Sequence, residues 1–305
     1  MKQRLHAYFD TESVLEVDTP SLSSTAVSDT QIDSLEVRCE LIDGPLYLHT
    51  SPEFCMKRLL ASGYPDIYSI CRVYRDGELG RNHQPEFTMV EWYRLGFGLS
   101  DIISDTQEAI ASALDNPSLA DDVRVIDYRD AFIDVCRIDP LQSSIKELAD
   151  AADVDDALKR VLGNSRDEWL DLILATKIAP SFTPGKLTVL QHYPASQAAL
   201  AQICPADLAV ADRFEVFMGS LELANGYVEL TDARLQSQRI ANDQAIRERR
   251  GQSIRPHDKS LLAALESGLP ACAGVAMGLE RLQMVHDKTD RIQNVVPFVF
   301  EALNE

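Results

Sequence analysis

The chain has 305 residues, 45% hydrophobic and 25% charged, which suits a large-cored globular protein and excludes disordered and fibrous classes. Its 29 basic and 48 acidic residues give a net charge of −19, a field that repels nucleic acid unless a local basic patch overrides it. No run approaches the roughly eighteen apolar residues of a membrane helix, and Met1-Lys2-Gln3-Arg4 leads into no apolar signal region, so the expectation is a cytoplasmic protein with no membrane segment.

Lys2 to Thr11 places Leu5, Tyr8 and Phe9 on one helical face, and a strand from Val14 ends at Pro20, which cannot continue a ladder. Ser21 to Asp43 is polar and irregular and reads as a loop. Leu46 to Thr50 reads as a strand. A helix follows from Phe54 to Ser62, with Ser51 as its cap, Pro52 in the first turn and Gly63 closing it. Glu53 then sits near a helix N-terminus, which favours its ionised form.

Ile67 to Tyr74 and Phe87 to Tyr93 alternate as two antiparallel strands, with Glu91 and Tyr93 on one face and Trp92 on the other. The loop between them is about twice the usual two to five residues of a hairpin turn, and loops of that length are usually functional. It carries Arg75, Arg81 and His83. Planar, permanently charged Arg at its base suits a phosphate, and Phe87 offers a ring to a base.

Leu99 to Leu114 is an amphipathic helix. From about residue 115 to 186, helical patterns at Ser144 to Leu162 and Asp167 to Ala175 alternate with acidic linkers, and the stretch reads as a helical insertion without chemistry. Leu187 to Pro194 is a strand. Arg213 to Met218 and Leu221 to Tyr227 form a hairpin about Gly219-Ser220. Strict alternation puts Glu215 with Phe217, and Leu221, Leu223 and Asn225 together with Glu222 opposite them. Glu215 and Glu222 lie on paired strands, where facing carboxylates repel unless a cation or proton separates them. A helix capped by Thr231 runs to about Arg250 and closes at Gly251. A small-residue strand from Ala273 to Gly278 then enters a helix with Arg281 in its first turn. The six cysteines (Cys39, Cys55, Cys71, Cys136, Cys204 and Cys272) make no Cys-x-x-Cys pair and have no histidine at metal spacing, so they read as reduced thiols with no zinc motif.

These segments, in this order, resemble class II aminoacyl-tRNA synthetases of the lysyl type. Helix and strand up to Pro20 resemble the dimer-forming motif 1. Arg72 through Tyr93, with Pro85-Glu86-Phe87-Thr88-Met89 and Glu91, resembles motif 2. Ala276-Met277-Gly278-Leu279-Glu280-Arg281 resembles the Gly-x-Gly-x-x-Arg of motif 3, and Asn225-Gly226-Tyr227-Val228-Glu229-Leu230 resembles the lysine pocket's Asn-Gly-Phe-x-Glu-Leu. The resemblance implies an α+β fold, with a six- or seven-stranded antiparallel sheet flanked by helices in a single catalytic domain over 1–305, and a homodimer. It implies ATP as co-substrate, held by Arg75, Asp76, Gly77, His83, Gln84, Phe87, Glu222, Leu223, Gly278 and Arg281, with Arg75 and Arg281 catalytic. It implies Mg²⁺ on Glu215 and Glu222, an ion that prefers few carboxylates plus phosphate oxygens. It further implies an amino-acid pocket of Ser51, Pro52, Glu53, Glu91, Tyr93, Asn225, Tyr227, Glu229 and Ala276. Two substrate ammonium groups need several carboxylates to replace their water, and Glu53, Glu91 and Glu229 would supply them.

Two positions depart from the synthetase pattern. Gly77 stands where motif 2 has an adenine-reading Glu, leaving backbone, Glu78 or Gln84 for that contact, and Ala276 replaces the first Gly of motif 3. A methyl there would crowd an amino-acid backbone and favour a shifted amine. The chain also begins almost at motif 1, without room upstream for an anticodon-binding barrel. These features match the lysyl-synthetase-like branch that modifies elongation factor P with (R)-β-lysine, which makes elongation factor P the expected partner rather than tRNA. A truncated lysyl-tRNA synthetase and a non-catalytic lysine-binding paralogue stay open as alternatives.

Overall fold

The computed structural model describes residues 1–300; residues 301–305, the last of the expected domain, lie outside the described residues. Helix α1 (Lys2–Thr11) buries Leu5 and Phe9 and is followed by short strands β1 (Leu15–Glu16), β2 (Leu22–Ser23), β3 (Glu36–Val37) and β4 (Leu46–Leu48). Helix α2 (Glu53–Ala61) precedes the long strands β5 (Ile67–Tyr74) and β6 (Glu86–Leu95). Helix α3 (Leu99–Leu114) leads into β7 (Val123–Asp127) and helices α4 (Tyr128–Cys136), α5 (Ile145–Ala152), α6 (Asp156–Leu162) and α7 (Arg166–Ile173). Strands β8 (Leu187–Pro194), β9 (Val210–Met218) and β10 (Leu221–Val228), helices α8 (Ala233–Arg249) and α9 (Lys259–Gly268), β11 (Cys272–Gly278) and α10 (Leu279–His286) follow.

Among the described residues the main sheet has eight strands in the order β1-β5-β6-β11-β10-β9-β8-β7. Its six central strands are antiparallel, while β1 on β5 and β7 on β8 are parallel edge pairings. The fold is therefore α+β as expected, with one or two more strands than expected. The unexpected strand is β7, inside the stretch read as a helical insertion. It is short and half exposed, with Val125 at 49%, so its alternation is too brief to stand out. Helices α4, α5 and α7 build a second core, with Tyr128, Phe132 and Trp169 against Leu190, Tyr193 and Phe217 of the sheet.

The principal core lies on the sheet face covered by α1 and α3, where Phe9 stacks on Tyr68 and tilts against Trp92. Each such ring contributes roughly 1.5–3 kcal/mol by leaving water. Asp105 of α3 is buried there and satisfied twice, accepting from Trp92 Nε1 at 2.8 Å and Tyr8 O–H at 2.7 Å. The opposite face of the sheet is thereby free to carry polar chemistry.

Local expectations shift in three places. The strand expected from Val14 to Pro20 narrows to Leu15–Glu16, although Val17 N–H still donates to Tyr68 O at 2.8 Å. The loop expected from Ser21 to Asp43 contains β2 and β3, which pair on either side of β4. Pro52 and Asp232, not Ser51 and Thr231, occupy the cap positions of α2 and α8; the Asp232 carboxylate accepts from Arg234 and Leu235 N–H, satisfying two open donors.

Candidate active site

Register places the site. Directly paired residues of an antiparallel sheet point to one face. Glu91 pairs with Ala276, Ala276 with Asn225 and Asn225 with Glu215, so four strands present one row across the polar face. The next row is Tyr93, Gly274, Tyr227 and Arg213. Gly274 has no side chain because none fits: a Cβ there would lie 2.5 Å from the Tyr93 ring and 2.6 Å from Glu229 Oε1.

A bulge in β10 corrects the expected alternation. Glu222 pairs with Phe217, but Ala224 pairs with Val216, so Leu223 and Ala224 share the space opposite one residue. Glu222 and Asn225 therefore face the same side, together with Glu215. Leu223, expected at the ATP site, turns into the principal core beside Phe214 and Val216.

At one end of the row, Glu53, Glu91 and Glu229 converge around a cation that the sequence reading overlooked. Lys57, one helical turn after Glu53, is 2% exposed, and its Nζ lies 2.6 Å from Glu53 Oε1 and 2.5 Å from Glu229 Oε2. Tyr227 O–H donates to Glu53 and Tyr93 O–H to Glu91, each at 2.7 Å. Burial opposes the Lys57 charge, but Glu229 and Glu53 more than offset it and hold the ammonium above its ordinary range. Three carboxylates against one ammonium leave a surplus of negative charge. Burial, then Glu53, pushes Glu91 well above the carboxylate range, and burial pushes Glu229 up to about 8 against the pull of Lys57. Among the described residues, Glu91 Oε2 and Glu229 Oε1 have no hydrogen-bond partner. Ser51 and Pro52 stand at the start of α2, where Ser51 Oγ accepts weakly from Glu53 N–H at 3.4 Å.

Cations collect further along the strands, where β6 leaves the Arg75 loop and β11 enters α10. Arg281 NH1 donates to Glu222, to its carbonyl at 3.0 Å and its carboxylate at 3.2 Å, and Arg281 NH2 donates to His83 Nε2 at 2.7 Å. Burial and the Arg281 charge lower the His83 pKa, consistent with a neutral imidazole accepting that bond. Arg75 lies over the Phe87 ring at 5.1 Å and reaches Glu78 at 3.4 Å, while its buried Nε has no partner among the described residues. Glu280 locks the two motifs together by accepting from Thr88 N–H and Thr88 O–H. Gly278 caps α10, which carries Arg281.

Three expected contacts are diverted. Gln84 is buried with its Oε1 accepting from Phe300 N–H, Glu78 is engaged by Arg75, and Asp76 is exposed and pairs through its backbone with Asp33. Gly77 adopts φ +76, a left-handed conformation that favours glycine and that a Glu would take only under strain. Arg213, also overlooked, holds Glu215 at 2.7 Å and reaches Asn225 at 3.3 Å, above the Tyr193 ring at 4.5 Å. Its signal was available: a basic residue two before Glu215, in phase with it on one strand.

Glu215 and Glu222 suit a hard cation in their chemistry. Both are oxygen donors on one face, and burial together with Glu222 pushes Glu215 up to about 7, a repulsion that a cation would relieve.

The family model for class II tRNA synthetases (D, K and N) matches residues 1–302. Proteins named elongation factor P–(R)-β-lysine ligase are similar over nearly the whole chain. The one from Sodalis glossinidius is 40% identical over 306 residues, covering 98% of this chain and 92% of its own. That from Pseudoalteromonas translucida is 41% identical over 303 residues, covering 96% and 91%, and that from Pectobacterium atrosepticum 39% over 301 residues, covering 96% and 91%. With its sheet order, its motif residues in register and these matches along its length, the chain belongs to the class II (D, K and N) tRNA synthetase family.

Proposed function

We propose that this protein is an ATP-dependent ligase that activates (R)-β-lysine as an adenylate and transfers it to a lysine side chain of elongation factor P. The carrying observation is the pair of buried oxygens on Glu91 and Glu229 without a partner among the described residues, on the sheet face where β6 leaves the Arg75 loop and β11 enters the helix of Arg281. Those oxygens suit substrate ammonium groups, which lose their water only against carboxylates.

In the first step a carboxylate oxygen of the amino acid attacks the α-phosphorus of ATP and pyrophosphate leaves. The nucleophile is already an anion, so positioning and charge neutralisation are needed rather than a base. Arg75, whose buried Nε has no acceptor among the described residues, neutralises the α-phosphate, and Phe87 stacks on the base. Arg281 and His83 take the outer phosphates, with Arg281 exchanging its Glu222 contact for them. Glu215 and Glu222 would hold Mg²⁺, which supplies further neutralisation of phosphate charge. In the second step the lysine amine of elongation factor P attacks the acyl carbon and AMP leaves.

Ala276 supports β-lysine. Its methyl stands in the row between Glu91 and Asn225, under the space an α-amine would use. The acidic balance disfavours tRNA as the acceptor. A homodimer accords with the exposed Leu15 on the open edge strand β1 and the exposed Leu22 that follows it along the chain; among the described residues no helix is long and apolar enough to cross a membrane. Pyrophosphate exchange with ATP, comparing β-lysine, α-lysine and no amino acid, tests the reading. Exchange dependent on β-lysine is expected, and exchange with α-lysine alone would overturn it.

A further inference from the structure

On the other side of the sheet, three ligand-type side chains meet that the mechanism does not use. A ring nitrogen of His192, the Cys204 sulfur and a carboxylate oxygen of Asp212 lie within 4.8 Å of one another. Cys204 and Asp212 are buried at 8% and 7% exposure, and His192 is half-buried at the rim. Strand alternation turns Asp212 away from the face that carries Arg213 and Glu215, so the cluster is separate from the active site.

The backbone is arranged to bring them together. The register slips between Gln191 and Tyr193, where two residues of β9, Asp212 and Arg213, oppose the single His192 of β8, and His192 takes φ +57, a left-handed conformation uncommon for a residue with a side chain. Asp212 N–H donates to Gln202 O at 3.1 Å, and Cys204 N–H to Val210 O at 2.9 Å, pinning the cysteine loop along β9. Asp212 Oδ2 accepts from Gln202 Nε2 at 2.7 Å, leaving Oδ1 turned toward His192.

The histidine is oriented as a ligand. Its Nδ1 lies 2.9 Å from Asp127 Oδ1, and a carboxylate only accepts, so the proton sits on Nδ1. Nε2 faces Asp212 Oδ1 at 4.0 Å, beyond a hydrogen bond. In the neutral imidazole these are two lone pairs directed at one space beside a thiol. A carboxylate holding the far nitrogen of a histidine is the usual support of a metal-bound imidazole.

We propose that His192, Cys204 and Asp212 form a binding site for a zinc-class divalent cation, oriented by Asp127 and completed by water at the His192 rim. Nitrogen, thiolate and carboxylate together suit Zn²⁺, and bonds of about 2.0–2.3 Å require the three donors to close by roughly an ångström. Binding displaces the Cys204 proton to solvent and leaves the ion's charge largely balanced by thiolate and carboxylate. The role is structural. His192 adjoins Tyr193 and Asp212 adjoins Arg213, the stacked pair that supports Glu215, so the ion would clamp both strands beneath the nucleotide end.

Chelator-stripped full-length protein titrated with Zn²⁺, with Co²⁺ as a spectroscopic probe, tests this. One equivalent per chain is expected, with a rise in Tm and a thiolate-to-Co²⁺ charge-transfer band in the near ultraviolet. Cys204→Ser should abolish the band, and Asp127→Asn, which removes no ligand, should weaken affinity about 10–100-fold. Substoichiometric uptake would overturn the site and leave His192 as an imidazolium clasp between two aspartates. Equal uptake by Cys204→Ser would overturn it in favour of the other thiols.

Discussion

The two ends of the proposed site solve the same problem, opposed charges in one cleft, in different ways. At the amine end Lys57, Glu91 and Glu229 are each about 2% exposed, and the carboxylates are wired to an internal ammonium and two tyrosines. At the phosphate end Arg75, Arg281 and Glu222 keep side-chain exposures of 22%, 20% and 38%, and their ion pairs, at 3.4 and 3.2 Å, are longer. A buried charge cluster holds a fixed geometry but collapses when one member is removed. A half-exposed one tolerates loss of a member and can exchange its partners for a ligand's. This division accords with the proposed amino-acid recognition at the rigid end and nucleotide exchange at the adaptable one.

The sharpest break of that contrast is Lys57→Met. It leaves Glu53 and Glu229 buried without their cation, a loss of about 3–5 kcal/mol for a broken buried pair. Denaturant unfolding should show it. A cost below about 1 kcal/mol would mean that the amine end is as adaptable as the other. Arg75→Ala, at the exposed end, should instead leave unfolding nearly unchanged while reducing pyrophosphate exchange about 10²–10³-fold. Near-normal exchange in that variant would remove the phosphate assignment.

Ala276→Gly probes the boundary between the ends. Removing one methyl should shift kcat/KM toward α-lysine by about ten- to two-hundred-fold, at a cost of roughly 0.5–1 kcal/mol of stability. An unchanged ratio in a folded variant would mean that the methyl does not meet the substrate. The smallest effect concerns pH. With its folded pKa raised to about 8, Glu229 keeps a proton that an unfolded glutamate has lost, so its contribution to stability falls as pH rises from the ordinary carboxylate range toward 8. A bound ammonium favours the ionised form without strictly requiring it, so β-lysine affinity should rise severalfold from pH 6 to 8 and its uptake should release protons. Calorimetry in buffers of different ionisation enthalpy measures both; a flat profile would show that Glu229 is already ionised.

Periodicity sufficed for α1, α3, β8 and the hairpin strands, whose bounds agree with the pattern to within a few residues, because each is a sustained run bounded by turn or breaker residues. Motif spacing along the chain singled out Arg75, Glu91, Glu229 and Arg281 as candidates, since each sits in a short motif that can be read without its neighbours in space. What stayed hidden depends on other elements. The β10 bulge depends on pairing with β9, and it alone puts Glu222 and Asn225 on one face. Lys57 looks like a surface lysine on a helix until Glu229, far along the chain, closes over it. His192, Cys204 and Asp212 fit no ligand spacing and meet only because one bulge and one loop fold them together. Along the chain, residue type and period determine which segments form and which face they bury. Register and closure of distant elements decide which charges meet, because a one-residue slip in pairing turns every side chain to the other face.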